Sequence, residues 1–166
     1  TGIRIGLAAA KAWASAFGRP ARGVSVLEAM VEEARPQSDL VVPILDARRG
    51  EFFLNMFREN LRHRASRFVA DGEGLVLKSD ALAAWLAQEV HTGASVTCLA
   101  REHDQVTMAL REGLPKAFNW VTVSGTLLGA LARLALRAEQ EGRPQPLATL
   151  DACYIRRSDA KLMWKD

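Results

Sequence analysis

Residues 1–17 are apolar or small at nearly every position, and Arg4 and Lys11 are the only charged side chains among them. Alanine is frequent and no proline intervenes before Gly18, so the pattern predicts a helix from residue 1 or 2 to residue 17. A helix that is apolar on every side needs a covering surface. Two interpretations stay open: the helix is buried in this chain's own core, or it is packed between the body of the protein and a partner.

A second helix is predicted from about Val26 to Ala34. Ser25 and Glu28 stand at its start in the S-x-x-E spacing of a capping box. In that motif the serine hydroxyl accepts a hydrogen bond from the third helical amide, and the glutamate reaches back to the serine amide. Pro36 follows the helix and ends it. Just upstream, residues 21–25 predict a short strand.

The middle of the chain predicts a β-hairpin. Residues 39–47 form a nearly continuous apolar run bounded by turn signals, which is typical of a strand buried on both faces. Residues 48–50 predict a tight turn with Gly50 in the left-handed conformation. Residues 51–59 then alternate as a second strand, so the two runs are expected to pair.

The second half continues the alternation of strands and helices. One or two strands are predicted over 66–79, broken at Gly72 and Gly74, and a helix capped by Ser79 follows over 80–90. A strand over 95–100, a short helix over 102–113 and a strand over 119–125 come next. Ser124 then begins a long helix that Gly142 stops, with Leu127, Leu128, Leu131 and Leu134 inward, and an extended tail is predicted over 151–166. This order predicts an α/β or α+β fold.

The composition favours a packed domain in the cytoplasm. Hydrophobic residues make up 49% of the 166 residues, which suffices for a core and argues against a disordered chain. No apolar run approaches the ~20 residues that span a bilayer, and no secretory signal is recognisable. Cys98 and Cys153 are the only cysteines and form no C-x-x-C pair, so two reduced thiols are expected.

The net charge of +3 is a mild excess that comes mostly from arginine. Its densest patch holds Arg58, Arg62, Arg64 and Arg67 around His63, without the interleaved aromatic residues on which single-stranded bases stack. A solvated strand–loop and an RNA-contacting patch both fit this pattern, because clustered charge is only a footprint of nucleic-acid binding.

Catalytic motifs are sparse. Lys78 follows Leu77 instead of the glycine that a phosphate loop requires, so the stretch GEGLVLKS does not predict phosphate binding. No two histidines have the spacing that lets them share a metal on one helical face. The three are His63, His91 and His103.

Asp46 is the one carboxylate in a position typical of catalysis, directly after a buried strand. It can equally hold the following turn through an Asx bond or pair with Arg48. Ser124 lacks a G-x-S-x-G elbow around it. The residues therefore predict no self-contained active site, and they favour a scaffold or partner-binding subunit over an enzyme.

Four short stretches stand in order along the chain. They are Thr1-Gly2-Ile3-Arg4-Ile5-Gly6 with Ala10-Lys11 downstream, Gly23-Val24-Ser25-Val26-Leu27-Glu28-Ala29, Asp46-Ala47-Arg48-Arg49-Gly50-Glu51, and Tyr154-Ile155-Arg156-Arg157-Ser158-Asp159-Ala160. Together they resemble the motifs of the bacterial TsaB family. The chain departs from that pattern at Ala12-Trp13, Val26, Phe52-Phe53 and Ala152-Cys153, which are packing-type changes. The resemblance implies structural roles for Arg4, Gly6, Ser25, Glu28, Asp46, Arg48, Gly50, Tyr154 and Arg156.

The resemblance implies an α/β fold of the actin/Hsp70/sugar-kinase (ribonuclease H-like) type. Residues 1–36 would be the remnant of a truncated N-terminal half, and residues 37–166 a complete C-terminal half. The implied role is a non-catalytic subunit that binds and stabilises a TsaD-like transferase, with a TsaE-like ATPase, in the complex that makes threonylcarbamoyladenosine in tRNA. This chain would hold no cofactor, ATP and a metal would belong to the partner subunits, and no membrane contact is expected.

The resemblance also implies a glycine-rich loop and a strand–helix unit upstream of Thr1. The opening helix would then pack one side on a sheet and offer another to a TsaD-like subunit or to a second copy of the chain. The expected interface residues are Ile3, Ile5, Ala9, Ala10 and Trp13.

Two other classes of function stay open. A glycoprotease-like metallopeptidase would need a metal-binding or nucleophilic constellation. A small RNA-binding module would use the arginine patch between Arg58 and Arg67.

Overall fold

The computed structural model describes residues 2–60, 67–90, 93–112, 114, 118–153 and 155. The helices are α1 (Gly2–Phe17), α2 (Val26–Ala34), α3 (Ser79–Val90), α4 (Gln105–Glu112) and α5 (Leu128–Gln140), with a 3₁₀ turn at Leu147–Thr149. The strands are β1 (Leu40–Asp46), β2 (Glu51–Leu54), β3 (Phe57–Glu59), β4 (Phe68–Ala70), β5 (Leu75–Lys78), β6 (Val96–Arg101) and β7 (Asn119–Val123).

β1 lies at the centre of a mixed sheet. Along one edge it pairs antiparallel with β2 and β3, and along the other it pairs parallel with β6. Beyond these, β5 and β4 extend the antiparallel side, and β7 pairs parallel with β6. The predicted mixed α/β architecture is confirmed.

The predicted single strand over 51–59 is interrupted, although β2 and β3 keep one register against β1. Leu45 faces Phe53 and Val41 faces Phe57, so the break lies opposite Pro43. Proline has no amide hydrogen to contribute to the ladder. On the other strand, the Met56 amide donates to its neighbour's side-chain oxygen, Asn55 Oδ1, at 2.8 Å.

Two layers of helices cover the sheet, each over its own apolar cluster. On one face Leu82 and Leu86 of α3 pack with Ile44. On the other face Met30 of α2 and Leu134 of α5 pack against the same strand and β6. Because β1 contributes side chains to both clusters, it has to be apolar on both faces, as its continuous hydrophobic run indicates.

Ion pairs clamp α2 to α5 at the surface. Glu32 accepts from Arg133 Nε at 3.1 Å and from an Arg137 guanidinium nitrogen at 3.2 Å, and Glu33 accepts from Arg133 at 2.9 Å. The contacts fix how the two helices lie side by side over the sheet.

The predicted strand over 21–25 is wrong. The amide of Gly23 donates to the Gln145 side chain at 2.8 Å, and the Arg22 guanidinium donates to the carbonyl of Arg143. These contacts join residues 21–25 to the segment after α5 instead of to a neighbouring strand, which a local pattern does not reveal.

The predicted start of α5 is also wrong, because the helix begins at Leu128. Ser124 Oγ instead accepts from the Thr126 amide at 3.1 Å in the preceding turn. Leu128 is 71% exposed, while Leu127 and Leu134 are buried. Leu128 follows Leu127 by about 100° around the helix axis, which turns it away from the inward stripe. Gly142 is left-handed at φ 65° and ends the helix as predicted.

We expect Ile44→Ala to lower the free energy of unfolding by about 2–5 kcal/mol, because a fully buried side chain of the central strand leaves a cavity. Urea denaturation measures the loss. The control is Leu136→Ala, at a 59% exposed position of α5, which should cost under about 0.5 kcal/mol. Equal losses in the two variants would contradict the central role of β1.

Candidate partner-binding surface

α1 is attached to the protein along a narrow inner face. Ala14 is its one buried residue among those described, and Leu7 and Lys11 are half-buried. These positions recur at helical spacing, so they share one side of the helix. Among the other elements of the chain, α1 contacts the 3₁₀ turn that follows α5.

The opposite side of α1 is an exposed apolar stripe, formed by Ile5, Ala9 and Trp13 at successive four-residue steps. Ile5 is 65% exposed and Trp13 is 71% exposed. The interpretation that α1 is buried in this chain's own core is therefore wrong for the described residues. Ile3 and Ala10 are exposed as well, on the flank of α1 next to Leu7 and Ala14. All five expected interface residues lie on accessible surface.

Small residues surround the stripe. A Cβ added at Gly6 would meet no atom within 4 Å, and alanines occupy most of the remaining outer positions. Helices with small side chains at the contact can approach to about 8 Å between their axes. The surface can therefore accommodate a closely packed second helix. Arg4, predicted as a motif residue, is exposed on the side of α1 that holds Lys11.

An apolar groove of about 570 Å³ lies beneath α1. Ile3 and Leu7 form its α1 side, and Val26, Leu45 and Phe53 form part of the opposite wall. The inner face of α1 is thus only partly packed, since the helix stands over a groove instead of a filled core.

The turn between β1 and β2 confirms the Asx interpretation of Asp46. Its Oδ1 accepts from the Arg48 amide at 2.6 Å. Arg48, Arg49 and Gly50 all have positive φ, at 64°, 60° and 72°. Gly50 is left-handed as predicted, and the Asp46 hydrogen bond supports two non-glycine residues in the same strained region.

Sequence reasoning missed that Asp104 lies beside Asp46. The Asp46 amide donates to Asp104 Oδ2 at 3.3 Å. Asp104 also accepts from the Thr107 amide at 3.0 Å and the Thr107 hydroxyl at 2.7 Å, which caps α4. A signal was available, because both carboxylates follow neighbouring parallel strands whose ends meet at one edge of a sheet.

The predicted capping box at Ser25 and Glu28 does not form. Ser25 is the N-cap by backbone position but makes no side-chain capping hydrogen bond. Glu28 instead lines a small cavity with Arg22, Arg137 and Arg143. Burial raises the pKa of its carboxyl above the ordinary value, and the positive charges of the three arginines oppose that rise.

Several predicted residues fall outside the described part of the chain. They are Tyr154 and Arg156 of the fourth motif, Arg62, His63 and Arg64 of the arginine patch, and His91. Among the residues that are described, no three His, Cys, Asp or Glu side chains come together as a metal site. Within the same residues, no helix is both long and apolar enough to cross a membrane.

The two cysteines are free, with Cys98 buried and Cys153 exposed. Burial raises the pKa of the Cys98 thiol to about 12, so it is a neutral core group at physiological pH.

The fold matches solved structures of the actin-like α/β class. An uncharacterized protein with similarity to peptidase YEAZ from Pseudomonas aeruginosa aligns with a TM-score of 0.67 at 22% identity, covering 94% of this chain and 68% of that one. YeaZ from the same organism gives 0.65 at 23% identity, with 93% and 69% covered. At these identities the match establishes the fold alone, and the predicted fold class is confirmed.

Sequence matches identify the family. Residues 1–135 match the family TsaD: tRNA N6-adenosine threonylcarbamoyltransferase. The Bacillus subtilis (strain 168) tRNA threonylcarbamoyladenosine biosynthesis protein TsaB is 38% identical over 58 residues, which is 35% of this chain. The match spans only about a quarter of that relative, 25% of its length. This chain belongs to the family of that model, TsaD: tRNA N6-adenosine threonylcarbamoyltransferase, and it is similar to TsaB and to YeaZ.

Glu28→Gln is expected to raise the melting temperature at neutral pH. A carboxyl whose pKa is raised on folding contributes stability that is full below its ordinary value of 4.5 and is lost as pH rises through the folded-state pKa. The gain from glutamine should therefore shrink as pH falls towards about 4. Thermal unfolding across this pH range measures it, with Glu112→Gln on α4 as the control for losing a charge. A gain that grows on acidification would contradict the burial argument.

Proposed function

We propose that this chain is a non-catalytic subunit of the threonylcarbamoyladenosine complex, and that it works by binding a TsaD-like transferase. The observation that carries the proposal is the exposed apolar stripe of α1 in a chain that is similar to TsaB and to YeaZ. Ile5 and Trp13 hold large apolar areas in water, and such patches mark interaction sites on soluble proteins.

Each part of the proposed complex has its own task. The TsaD-like subunit carries the transfer chemistry with its metal, and a TsaE-like ATPase supplies ATP turnover. This chain contributes a docking surface and reaches tRNA through the assembled complex, in the cytoplasm. A role without chemistry of its own fits Asp46 and Asp104, because their oxygens are engaged by the Arg48 amide, the Asp46 amide and Thr107.

A helix of the partner is the occupant that suits α1 best. Alanine and glycine around the stripe permit close approach, while Ile5 and Trp13 give anchors of the kind that dominate binding energy. A second copy of the chain could occupy the same stripe, so homodimerisation and partner binding are expected to compete.

We expect Ala9→Glu to weaken binding of the purified TsaD-type subunit at least tenfold, about 1.4 kcal/mol, because a carboxylate in the middle of the stripe is desolvated without a partner. Titration calorimetry or pull-down at micromolar concentration measures the change. The matched control is Leu136→Glu, which places the same charge at an exposed apolar position of α5.

The control should bind as the unaltered chain does. No complex with the unaltered chain, or equal weakening by the two variants, would contradict the proposal. A stoichiometric, tightly held metal in this chain alone would favour the peptidase alternative instead.

A further inference from the structure

A second cavity, of about 470 Å³, lies on the α2/α5 face of the sheet, away from the α1 stripe. Its volume falls within the range of small-molecule sites, roughly 300–1,000 Å³. Val31, Leu134, Phe57 and Phe68 contribute the apolar part of its lining. Charged side chains from α2, its C-cap and α5, and from Arg67 just before β4, surround them. The polar and charged residues outnumber the apolar ones in this lining, so the cavity suits a ligand that carries polar groups as well as an apolar surface.

Most charges around this cavity are already neutralised. Arg67 Nε donates to Glu59 at 2.6 Å. An Arg137 guanidinium nitrogen lies 3.2 Å from Glu32. These pairs shape the walls and leave little charge to attract a ligand.

Two groups at opposite ends of α2 differ from the rest. Within the described part of the chain, neither the Arg35 guanidinium nor the Glu28 carboxyl makes a direct hydrogen bond or ion pair, although the positive charges of three nearby arginines act on Glu28. Glu28 is half-buried and lies near the start of α2, while Arg35 is the C-cap. Seven residues separate them, about 10 Å along the helix axis.

The spacing places an exposed guanidinium at one end of the cavity and, at the other, a half-buried carboxyl that can still accept a hydrogen bond. Arginine binds phosphate oxygens in a bidentate manner. Carboxylates accept hydrogen bonds from the exocyclic amino groups of bases. Gln37, close to Arg35 in sequence and also lining the cavity, adds an amide for a ribose or phosphate oxygen.

We propose that this cavity binds a nucleotide, with its phosphate at Arg35 and Gln37 and the amino edge of its base at Glu28. The nucleotide is either a free mononucleotide or one unit of a single-stranded RNA, since both present the same chemistry. The site is independent of α1, so it does not rest on the proposed partner-binding function.

Arg35→Gly is the sharpest test. Arg35 has φ 45°, a left-handed C-cap conformation that glycine adopts without strain, so the variant removes the guanidinium while preserving the helix end. Binding of AMP, ribose 5-phosphate and a fluorescent single-stranded oligoribonucleotide is measured by calorimetry and anisotropy. We expect the unaltered chain to bind AMP, and Arg35→Gly to weaken AMP and ribose 5-phosphate about tenfold.

Glu28→Ala tests the other end of the cavity. It should weaken AMP but leave ribose 5-phosphate, which has no base, unchanged. Arg111→Gln, an exposed arginine of α4 on the other face of the sheet, should change neither. Circular dichroism verifies that each variant is folded, and binding to the TsaD-type subunit should be retained by all three.

The relative affinities for AMP and for the oligoribonucleotide distinguish a free mononucleotide from a unit of single-stranded RNA. Tight oligoribonucleotide binding that AMP displaces supports an RNA unit, and AMP binding without oligoribonucleotide binding supports a free nucleotide. Absence of binding for both probes at millimolar concentration would overturn the proposal. So would binding that Arg35→Gly and Arg111→Gln affect equally.

Discussion

β1 is the strand on which every other layer of the protein rests, because it is paired along both edges and covered on both faces. Its continuous apolar run feeds two separate clusters, one under α3 and α4 and one under α2 and α5. Antiparallel pairing on one side and parallel pairing on the other force the chain into a meander followed by crossovers. The mixed sheet is organised around that one buried strand.

α1 obeys the opposite constraint, since it is apolar without being buried. The helix meets the body along Leu7, Lys11 and Ala14 and leaves Ile5, Ala9 and Trp13 in water. Hydrophobic area exposed in this way is costly unless another surface covers it. Stability and assembly are therefore linked at this helix, and the same side chains that add nothing to the core can supply the energy of docking.

The cavity on the α2/α5 face depends on which charged residues of α2 form ion pairs with α5. Glu28 was suited by spacing to cap its own helix, yet it lies beside three arginines in a half-buried position. The clamp of Glu32 and Glu33 on α5 holds the helices together without involving Glu28 or Arg35. Glu28 and Arg35 consequently take no part in that clamp, and they line the two ends of one cavity apart from the α1 surface.

The sequence by itself determined the elements whose signals are local. Continuous apolar residues predicted β1, Asp46 and Gly50 predicted the turn after it, and the alanine-rich opening predicted α1. Tertiary structure decided what depends on contacts between distant segments: residues 21–25 are held by Gln145, α5 begins past Ser124, and Asp104 lies beside Asp46. It also decided that α1 is exposed, because periodicity reports which side chains share a face and carries no information about what that face meets.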